Sequence, residues 1–377
     1  MAKNNMKIGI DASRANREIK TGVEWYSFYL IEELKKITSH SQDQFFLYTD
    51  KPLKGELSKL PKNWHEKILF WPFKYLWTKI RLSFEILKNK PDVLFIPSHV
   101  LPLIFPKKTV ITIHDLGYER YPEAYPKLFR FYLKKNYQIA SRLAEKIIVP
   151  SYFTKKELIT LYKVPPEKIE VIHLGYNEKI FKKIEEKEKV DKFLEKFGIK
   201  KPYLVFIGRL EIKKGIKCLL QAYRLLITNY QLKNISLVLV GKPGYGYNEI
   251  RNLKLKIKNL IEIGHVDQND LPYFYNGAEI FIFPSLYEGF GMPILEAMAC
   301  GCPVIASDIE PIKEVGGESV IFFKVGDAED LAEKIKKVLE NQELKNQMIQ
   351  KGLENIKKFS WQKCAKQTLE VLKSFDK

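Results

Sequence analysis

The sequence has few cysteines and no long apolar run, and both absences exclude classes of protein. Four Cys among 377 residues do not make a disulfide framework, and their spacing suits no zinc site. No segment approaches the roughly 18 uninterrupted apolar residues of a membrane span. The first residues lack the apolar region and cleavage site of a signal peptide. We therefore expect a reduced, cytoplasmic protein.

Three functional motifs are also missing. No GxxxxGK[ST] sequence occurs, which excludes a Walker phosphate loop. No Asp-x-Asp pair occurs, so we expect neither a metal ion nor another cofactor. No RNA- or DNA-binding motif accompanies the basic charge, so nucleic acid is not an expected partner.

Positive charge is in excess, and most of the excess lies in the first half. The formal net charge is +18, and residues 1–190 hold 35 Lys and Arg against 22 Asp and Glu. A basic half indicates an anionic partner such as a lipid surface or a phosphorylated substrate. A plain lysine-rich composition is the alternative.

Both halves alternate apolar runs with segments of helical periodicity. The first half predicts strands at MKIGIDA, QFFLYT, KILFWP, DVLFI, TVITIHD and KIIVPS, with helices over 22–38 and 126–143. The second half predicts strands at YLVFIGRL, ISLVLVGK, LIEIGH, EIFIFPS, PVIAS and VIFF. Nearly continuous apolar strands that alternate with helices are typical of parallel sheets covered on both faces. The predicted fold class is therefore α/β, with two Rossmann-like domains.

The charged, weakly patterned segment 176–200 marks the expected domain boundary. We expect one domain over 1–180, a second over 181–358, and a final helix over 359–377 that packs back on the first domain. Such domains bind ligands beyond the carboxyl ends of their strands. Two facing sheets would place that site in an interdomain cleft.

The turn after strand YLVFIG has glycine at both ends and cations between them. Gly208 and Gly215 allow the backbone to approach a ligand, while Arg209 and Lys214 put positive charge at the carboxyl end of the strand. Arg offers a bidentate fork and Lys a point charge, and together they suit a diphosphate. A basic turn that binds no ligand is the alternative.

The stretch PSLYEGFGMPILEAMACG, residues 284–301, holds two carboxylates eight residues apart, Glu288 and Glu296. Pro293 is expected at the first position of a helix, whose N-terminal amides suit anionic or hydroxyl oxygens. Those amides belong to Phe290, Gly291 and Met292. The two carboxylates can bind two sets of vicinal hydroxyl groups, such as those of a sugar and a ribose. Alternatively, Glu296 serves a hydrogen-bond network and Glu288 is solvated.

These motifs together resemble the retaining glycosyltransferase family 4. YEGFGMPILEAMACGCPVIASD contains the family's E-x7-E pair, and IGRLEIKKG is similar to its phosphate-binding turn. TIHDLGYERYPEAY, PSYFTKKEL, PPEKIEVIHLGYN and DASRANREIKTGVEWYSFYL resemble a branch that includes many bacterial mannosyltransferases. At Arg209 the chain departs from much of that branch, which has Thr there. The resemblance spans almost the whole chain.

The resemblance implies a GT-B fold, with the acceptor bound by the first domain and a nucleotide sugar by the second. Glu296 would bind the ribose hydroxyls, and Glu288 the donor sugar near its 3 and 4 positions. Arg209 and Lys214 would neutralise the leaving diphosphate, helped by amides near Gly22. The other donor-binding residues that the resemblance implies are Gly208, His265, Val266, Gly289, Phe290, Gly291 and Met292.

The resemblance also implies that His114 lies near the donor sugar and the reacting centre, with Asp115 beside it. A histidine that follows an apolar strand can instead be hydrogen-bonded in place for structural reasons. The expected catalytic set is His114, Asp115, Arg209, Lys214 and Glu288.

The implied activity is retaining, metal-independent transfer of a hexose, with GDP-mannose as the expected donor and an α-linkage as the product. The acceptor would be a hydroxyl of a glycan or a polyprenyl-diphosphate-linked sugar in the synthesis of a cell-surface polysaccharide. A donor of the UDP-glucose or UDP-N-acetylglucosamine type stays open. A nucleotide-sugar epimerase can share this fold, although the family-4 residues argue against it.

Residues 67–90 combine three Phe and two Trp with six Lys and Arg against one Glu. That composition can bind an anionic membrane surface, with the aromatics at the interface and the lysines on phosphates. The alternative is a core strand followed by an amphipathic helix. The first interpretation would place a cytoplasmic enzyme peripherally on the inner face of the membrane.

Overall fold

The structure is a computed structural model that describes residues 5–73, 75–254 and 257–375. The chain divides into two compact units: Met1–Leu116, Leu128–Gly175 and Ser360–Lys377 form the first, and Gly117–Lys127 and Tyr176–Phe359 form the second. The sequence places 117–127 in the first domain, whereas that segment belongs to the second unit. The periodicity of a sequence predicts local structure, but it does not show which distant segments a residue packs against.

The sheet of the first unit is entirely parallel. Its strands are β1 (Lys7–Asp11), β2 (Gln44–Thr49), β3 (Trp64–Ile68), β4 (Val93–Ile96), β5 (Thr109–Thr112), β6 (Lys146–Val149) and β7 (Ile169–Val171). Within the described residues the order is β3-β2-β1-β4-β5-β6-β7. The strand order therefore reverses between β1 and β4, and the crevice at such a reversal is where open α/β sheets bind ligands.

The second unit repeats this arrangement with its own parallel sheet. Its strands are β8 (Tyr203–Ile207), β9 (Ser236–Val240), β10 (Leu260–Gly264), β11 (Ile280–Phe283), β12 (Val304–Ser307) and β13 (Val320–Phe323). Among the residues described, the order is β10-β9-β8-β11-β12-β13. Here the reversal lies between β8 and β11. The prediction of two parallel, Rossmann-like sheets is confirmed.

Helices connect the strands of both sheets. They are α1 (Gly22–Thr38), α2 (Leu82–Lys88), α3 (Gly117–Arg120), α4 (Lys127–Leu143), α5 (Tyr152–Tyr162), α6 (Lys187–Glu195), α7 (Ile216–Thr228), α8 (Tyr247–Lys254), α9 (Leu271–Gly277), α10 (Met292–Ala299), α11 (Glu310–Gly316), α12 (Ala328–Leu339), α13 (Gln342–Asn355) and α14 (Trp361–Lys373). In the part of the chain that the structure describes, no helix is long and apolar enough to cross a membrane.

The apolar stripes of the helices cover the sheets. In the second unit, Leu331 and Ile335 of α12 join α7 and the strands in one buried cluster, because residues four apart share a helix face. In the first unit, α14 packs on α1, where Trp361 stacks on Tyr29 with ring centroids 5.4 Å apart. The final helix therefore belongs to the first unit. All four cysteines are buried and free.

Two predicted features of the first sheet are wrong. The predicted strand KILFWP lies too far along the chain, because β3 ends at Ile68 and Phe70 is 74% exposed. β3 is an edge strand that carries polar residues, and it is fixed by Trp64 stacked on Phe45 across the strand pair, with centroids 4.5 Å apart. The short strand β7 has no counterpart among the predicted strands.

Candidate active site

The carboxyl ends of β8 and β11 bring the two principal motifs of the second unit together. The turn 208–215 follows β8 and the loop 284–291 follows β11, and these strands are neighbours in the sheet. The ends of adjacent parallel strands meet at one edge of a sheet. The predicted phosphate turn and the first carboxylate are therefore adjacent.

Close backbone contact locks the turn against the loop. Gly215 has φ +66°, and a Cβ there would lie 1.8 Å from the carbonyl oxygen of Pro284. No residue with a side chain fits that position without moving backbone. The amide of Leu286 also donates a hydrogen bond to the carbonyl of Lys213, at 2.8 Å. Glycine is thus required at Gly215 by packing as well as by conformation.

The two cations of the turn, Arg209 and Lys214, differ in their contacts and exposure. Lys214 forms an ion pair with Glu288 and lies over the ring of Phe283, 5.5 Å from its centroid. Ser285 donates a second hydrogen bond to the same carboxylate oxygen, at 2.7 Å. The side chain of Arg209 is exposed. Lys214 is therefore held in place by protein partners, whereas the guanidinium of Arg209 projects into solvent at the end of β8.

The loop after Glu288 leads directly into α10. Gly291 is the residue before the helix, with φ +110°, and a Cβ there would lie 2.7 Å from Cδ1 of Ile312. Gly289 and Phe290 are buried, and the ring of Phe290 contacts that of Phe359. The helix begins at Met292, so Pro293 is its second residue and not its first as predicted. The helix start therefore follows the loop whose residues Pro284 and Leu286 contact the turn, and the free amides of a helix start can bind an anion.

Glu296 lies one turn inside α10, and its pKa is raised. Its Oε2 accepts a hydrogen bond from the hydroxyl of Tyr275, at 3.2 Å. Burial raises the pKa of Glu296 from its ordinary 4.5 to about 7, and the Tyr275 hydrogen bond only partly opposes that shift. Among the described residues Tyr275 is the one side-chain donor to this carboxylate, which leaves it suited to accept hydrogen bonds from the hydroxyl groups of a ligand.

The turn at Gly264, His265 and Val266 lies farther along the sheet from the turn 208–215. It follows the edge strand β10, and β9 lies between β10 and β8. Gly264 has φ +76°, the side chain of His265 is exposed and Val266 is half-buried. The structure therefore places this turn at the same edge of the sheet as the phosphate turn, two strands away.

In the first unit, Gly22 is the first residue of α1. Thr21 caps the start of the helix, and its amide donates a hydrogen bond to the carboxylate of Glu24 at 3.1 Å. Glu24 also accepts a hydrogen bond from Arg14 at 3.2 Å. Burial opposes ionisation of Glu24, but these hydrogen bonds and the charge of Arg14 outweigh it and lower its pKa. Gly22 is exposed and lies at the helix start that the carboxylate of Glu24 caps.

His114 and Asp115 follow β5 in the first unit. Nε2 of His114 lies 3.2 Å from the carbonyl oxygen of Pro97, and its ring packs edge-on against Tyr26, with centroids 4.7 Å apart. Burial lowers the pKa of His114 to about 4, although Pro97 and Asp115 act in the opposite direction. The imidazole is therefore neutral near pH 7. Because a carbonyl only accepts, Nε2 carries the proton and Nδ1 is the acceptor.

Sequence reasoning missed the residues that position the carboxylates. Ser285 donates a hydrogen bond to Glu288. It lies in the segment 284–301, three residues before Glu288, so the sequence did contain a nearby donor for this carboxylate. Tyr275 holds Glu296 from another helix, 21 positions away, and no local pattern marks it. Among the residues described, no group of three or more His, Cys, Asp or Glu could hold a metal ion.

Comparison with known families agrees with these motifs. Residues 21–179 match the sequence model of Glycosyltransferase Family 4, and residues 187–355 match that of Glycosyl transferases group 1. The chain belongs to the family 4 glycosyltransferases. As a member of that family it is a glycosyltransferase.

Several relatives of this glycosyltransferase carry mannosyltransferase names. O-antigen chain mannosyltransferase B of Escherichia coli is 31% identical, covering 71% of this chain and 70% of that protein. O-antigen chain mannosyltransferase RfbU of Salmonella typhimurium is 27% identical over 72% of this chain and 70% of that protein. The serotype-specific mannosyltransferase WbdA of Escherichia coli is 28% identical, but the chain spans only 33% of its length.

Solved structures identify the fold of this glycosyltransferase as GT-B. Sucrose-phosphate synthase from Thermosynechococcus elongatus superimposes with a TM-score of 0.76 at 20% identity, covering 98% of this chain and 99% of the other. WaaG, a glycosyltransferase involved in lipopolysaccharide biosynthesis, gives 0.74 at 14% identity, with 98% and 100% covered. At these identities the likeness concerns the fold alone.

The raised pKa of Glu296 predicts a pH dependence of stability. Native protein binds this proton more tightly than unfolded protein, so the stabilisation is complete below pH 4.5 and is lost as the pH rises through about 7. Replacing Glu296 with Gln should remove that loss, which is at most about 3 kcal/mol. Thermal unfolding midpoints of the two proteins, measured across this range, should diverge as the pH rises.

Glu333, an exposed residue of α12, provides the matched control. The variant Glu333→Gln should follow the wild-type profile. Parallel profiles for wild type and Glu296→Gln would contradict the assigned titration.

Proposed function

We propose that this glycosyltransferase moves mannose from GDP-mannose to a hydroxyl of a glycan or polyprenyl-diphosphate-linked acceptor, with retention of configuration and without a metal ion. The observation that carries the proposal is the junction of turn 208–215 with loop 284–291, where cations, a carboxylate and a helix N-terminus lie together. The mannosyltransferase names of the relatives support the donor sugar and a role in cell-surface polysaccharide synthesis.

The cations of the turn suit a departing diphosphate. Cleavage of the bond between the sugar and the phosphate places negative charge on the leaving oxygen, and preplaced cations and amides stabilise that charge. Arg209 is exposed at the end of β8 and can bind two phosphate oxygens with its planar fork. Lys214 is already oriented by Glu288, so its position costs little reorganisation when the donor binds.

The two carboxylates suit the two sugars of the donor. Glu288 stands beside Lys214 and would accept hydrogen bonds from hydroxyls near the 3 and 4 positions of the hexose. Glu296, one helical turn further, would accept them from the ribose. Binding two hydroxyl groups would add donors to the one side-chain donor that Glu296 has among the described residues, the hydroxyl of Tyr275 at 3.2 Å. The donor-binding role of the turn at His265 and Val266 remains part of the same proposal.

The retaining step needs no carboxylate base. The acceptor oxygen bonds to the anomeric carbon from the side that the diphosphate leaves, while the carbon–oxygen bond to phosphate breaks. The acceptor proton passes to the leaving phosphate oxygen, so charge and atoms balance without a further co-reactant. Neutral His114 would accept a hydrogen bond from a substrate hydroxyl at Nδ1, with Asp115 supporting its orientation.

The donor is tested by transfer assays with GDP-mannose, UDP-glucose and UDP-N-acetylglucosamine against a panel of lipid-linked and free glycan acceptors. GDP-mannose should give an α-linked product that is identified by NMR. The rate should be unchanged by a chelator, because Arg209 and Lys214 replace the metal as the charge on the diphosphate side.

Three results would contradict this proposal. Activity abolished by the chelator and restored by Mg²⁺ or Mn²⁺ would exclude metal independence. Transfer from a UDP-sugar in preference to GDP-mannose would keep the enzyme class and replace the donor. A UDP-sugar converted to its epimer without any acceptor would instead identify an epimerase.

Removal of either cation should lower turnover. We expect Arg209→Gln and Lys214→Gln to reduce kcat by about 10²-fold or more, because each removes charge stabilisation of the leaving group. Lys217, exposed in the first turn of α7, gives the matched control Lys217→Gln. Unaltered kcat in Arg209→Gln would disprove the role, since the exposed side chain of Arg209 forms no ion pair with the residues that the structure describes.

A further inference from the structure

The first unit exposes many large apolar side chains, and most of them belong to three segments. The segments are residues 68–87, residues 103–104 and residues 128–143 of α4, and together we call them the apolar face. Its exposed members are Ile68, Phe70, Phe73, Tyr75, Leu76, Phe84, Leu87, Leu103, Ile104, Leu128, Phe129, Phe131, Tyr132, Ile139 and Leu143. Monomeric soluble proteins rarely expose contiguous apolar patches of this kind without a partner.

Helix α4 has two apolar sides. Its inner side buries Leu133, Tyr137 and Ala140 in the first unit. The outer side exposes Leu128, Tyr132, Ile139 and Leu143, which are spaced four, seven and four residues apart and so form one stripe. Leu128 is 87% exposed. A helix that packs on one core needs only the inner stripe.

Specific contacts join the three segments into one surface. Nζ of Lys79 lies over the ring of Tyr132, 5.2 Å from its centroid. The amide of Leu103 donates to the carbonyl of Lys79 at 3.1 Å and to the hydroxyl of Ser83 at 2.8 Å. The amide of Ile104 donates to the same hydroxyl at 3.1 Å. The apolar side chains are therefore held on neighbouring elements and not on separate loops.

The charge of the apolar face is mostly positive. Residues 128–143 contain no Asp or Glu, and they carry Arg130, Lys134, Lys135 and Arg142. Lys135 lies over the ring of Phe131, with Nζ 5.8 Å from its centroid. Residues 67–90 contain one acidic residue, Glu85, while Lys74 lies outside the described residues. Apolar and aromatic side chains beside basic ones complement an anionic lipid surface.

We infer that the apolar face binds the surface of an anionic lipid bilayer, with α4 lying in the interfacial plane. The outer stripe of α4 enters the boundary between headgroups and acyl chains, and Lys135 and Arg142 contact lipid phosphates. The inference deepens the proposed function and rests on it in one respect, since a membrane-bound enzyme meets a polyprenyl-linked acceptor where that acceptor resides. A protein partner would need acidic groups against this face, whereas a phospholipid supplies them throughout.

The test is flotation of the full chain with vesicles of phosphatidylcholine, with and without phosphatidylglycerol. Wild type should float with the anionic vesicles, less so at high salt, and remain unbound with phosphatidylcholine alone. The variant Lys135→Glu/Arg142→Glu should lose binding by about tenfold or more. Lys363→Glu/Lys366→Glu, in α14 of the same unit, makes the same change in net charge and should bind as wild type.

A second pair of variants tests the apolar stripe. Leu128→Gln/Ile139→Gln/Leu143→Gln should float weakly at every salt concentration, while Ile37→Gln, at an exposed residue of α1, should not change binding. All of these side chains are exposed, so thermal unfolding should be unaltered. Absence of flotation by wild type, or equal flotation by the α4 variants, would overturn the inference.

Two further measurements distinguish membrane binding from self-association and from failure of the proposed function. A wild type that dimerises through α4, becomes monomeric in the triple Gln variant and ignores vesicles would show a self-association surface instead. Vesicle binding requires neither nucleotide nor acceptor, so failure of the GDP-mannose assay leaves its result intact. Conversely, the α4 variants should transfer sugar to a water-soluble acceptor as fast as wild type.

Discussion

The candidate donor site depends on one constraint, the contact between the turn after β8 and the loop after β11. A Cβ at Gly215 would stand 1.8 Å from the carbonyl oxygen of Pro284, so the two backbones can approach only because that residue is glycine. Their approach allows Lys214 to pair with Glu288, and the same loop then sets the start of α10 and the place of Glu296. Cation, carboxylate and helix N-terminus thus come from two neighbouring strands.

Burial favours the neutral form of one titratable side chain in each unit. It raises the pKa of Glu296 to about 7 and lowers that of His114 to about 4, because a group removed from water favours its neutral form. Each side chain makes one hydrogen-bond contact in the described part of the chain, Glu296 with the hydroxyl of Tyr275 and His114 with the carbonyl of Pro97. Under the proposed function, substrate hydroxyl groups are the ligands that the acceptor atoms of these side chains suit.

The sequence predicted most of the fold, because strands buried on both faces show unbroken apolar runs such as YLVFI. It also predicted helix α1 at residues 22–38, where Thr21 and Glu24 mark the start. It failed at β3, because an edge strand tolerates the polar His65 and Glu66, while Phe70 and Phe73 beyond it are exposed. The hydrogen bond between Tyr275 and Glu296 could not be predicted from the sequence, because it joins two different helices and local periodicity does not show which helices pack together.

Under the proposed function, the second unit binds a guanine nucleotide through Glu296. Calorimetric titration of GDP, UDP and ADP into wild type and Glu296→Gln tests this without any acceptor. We expect tight binding of GDP alone, and we expect Glu296→Gln to reduce the GDP affinity about tenfold or more by loss of charge-assisted hydrogen bonds to the ribose. Equal GDP affinity in the two proteins, or no binding of any nucleotide, would contradict it.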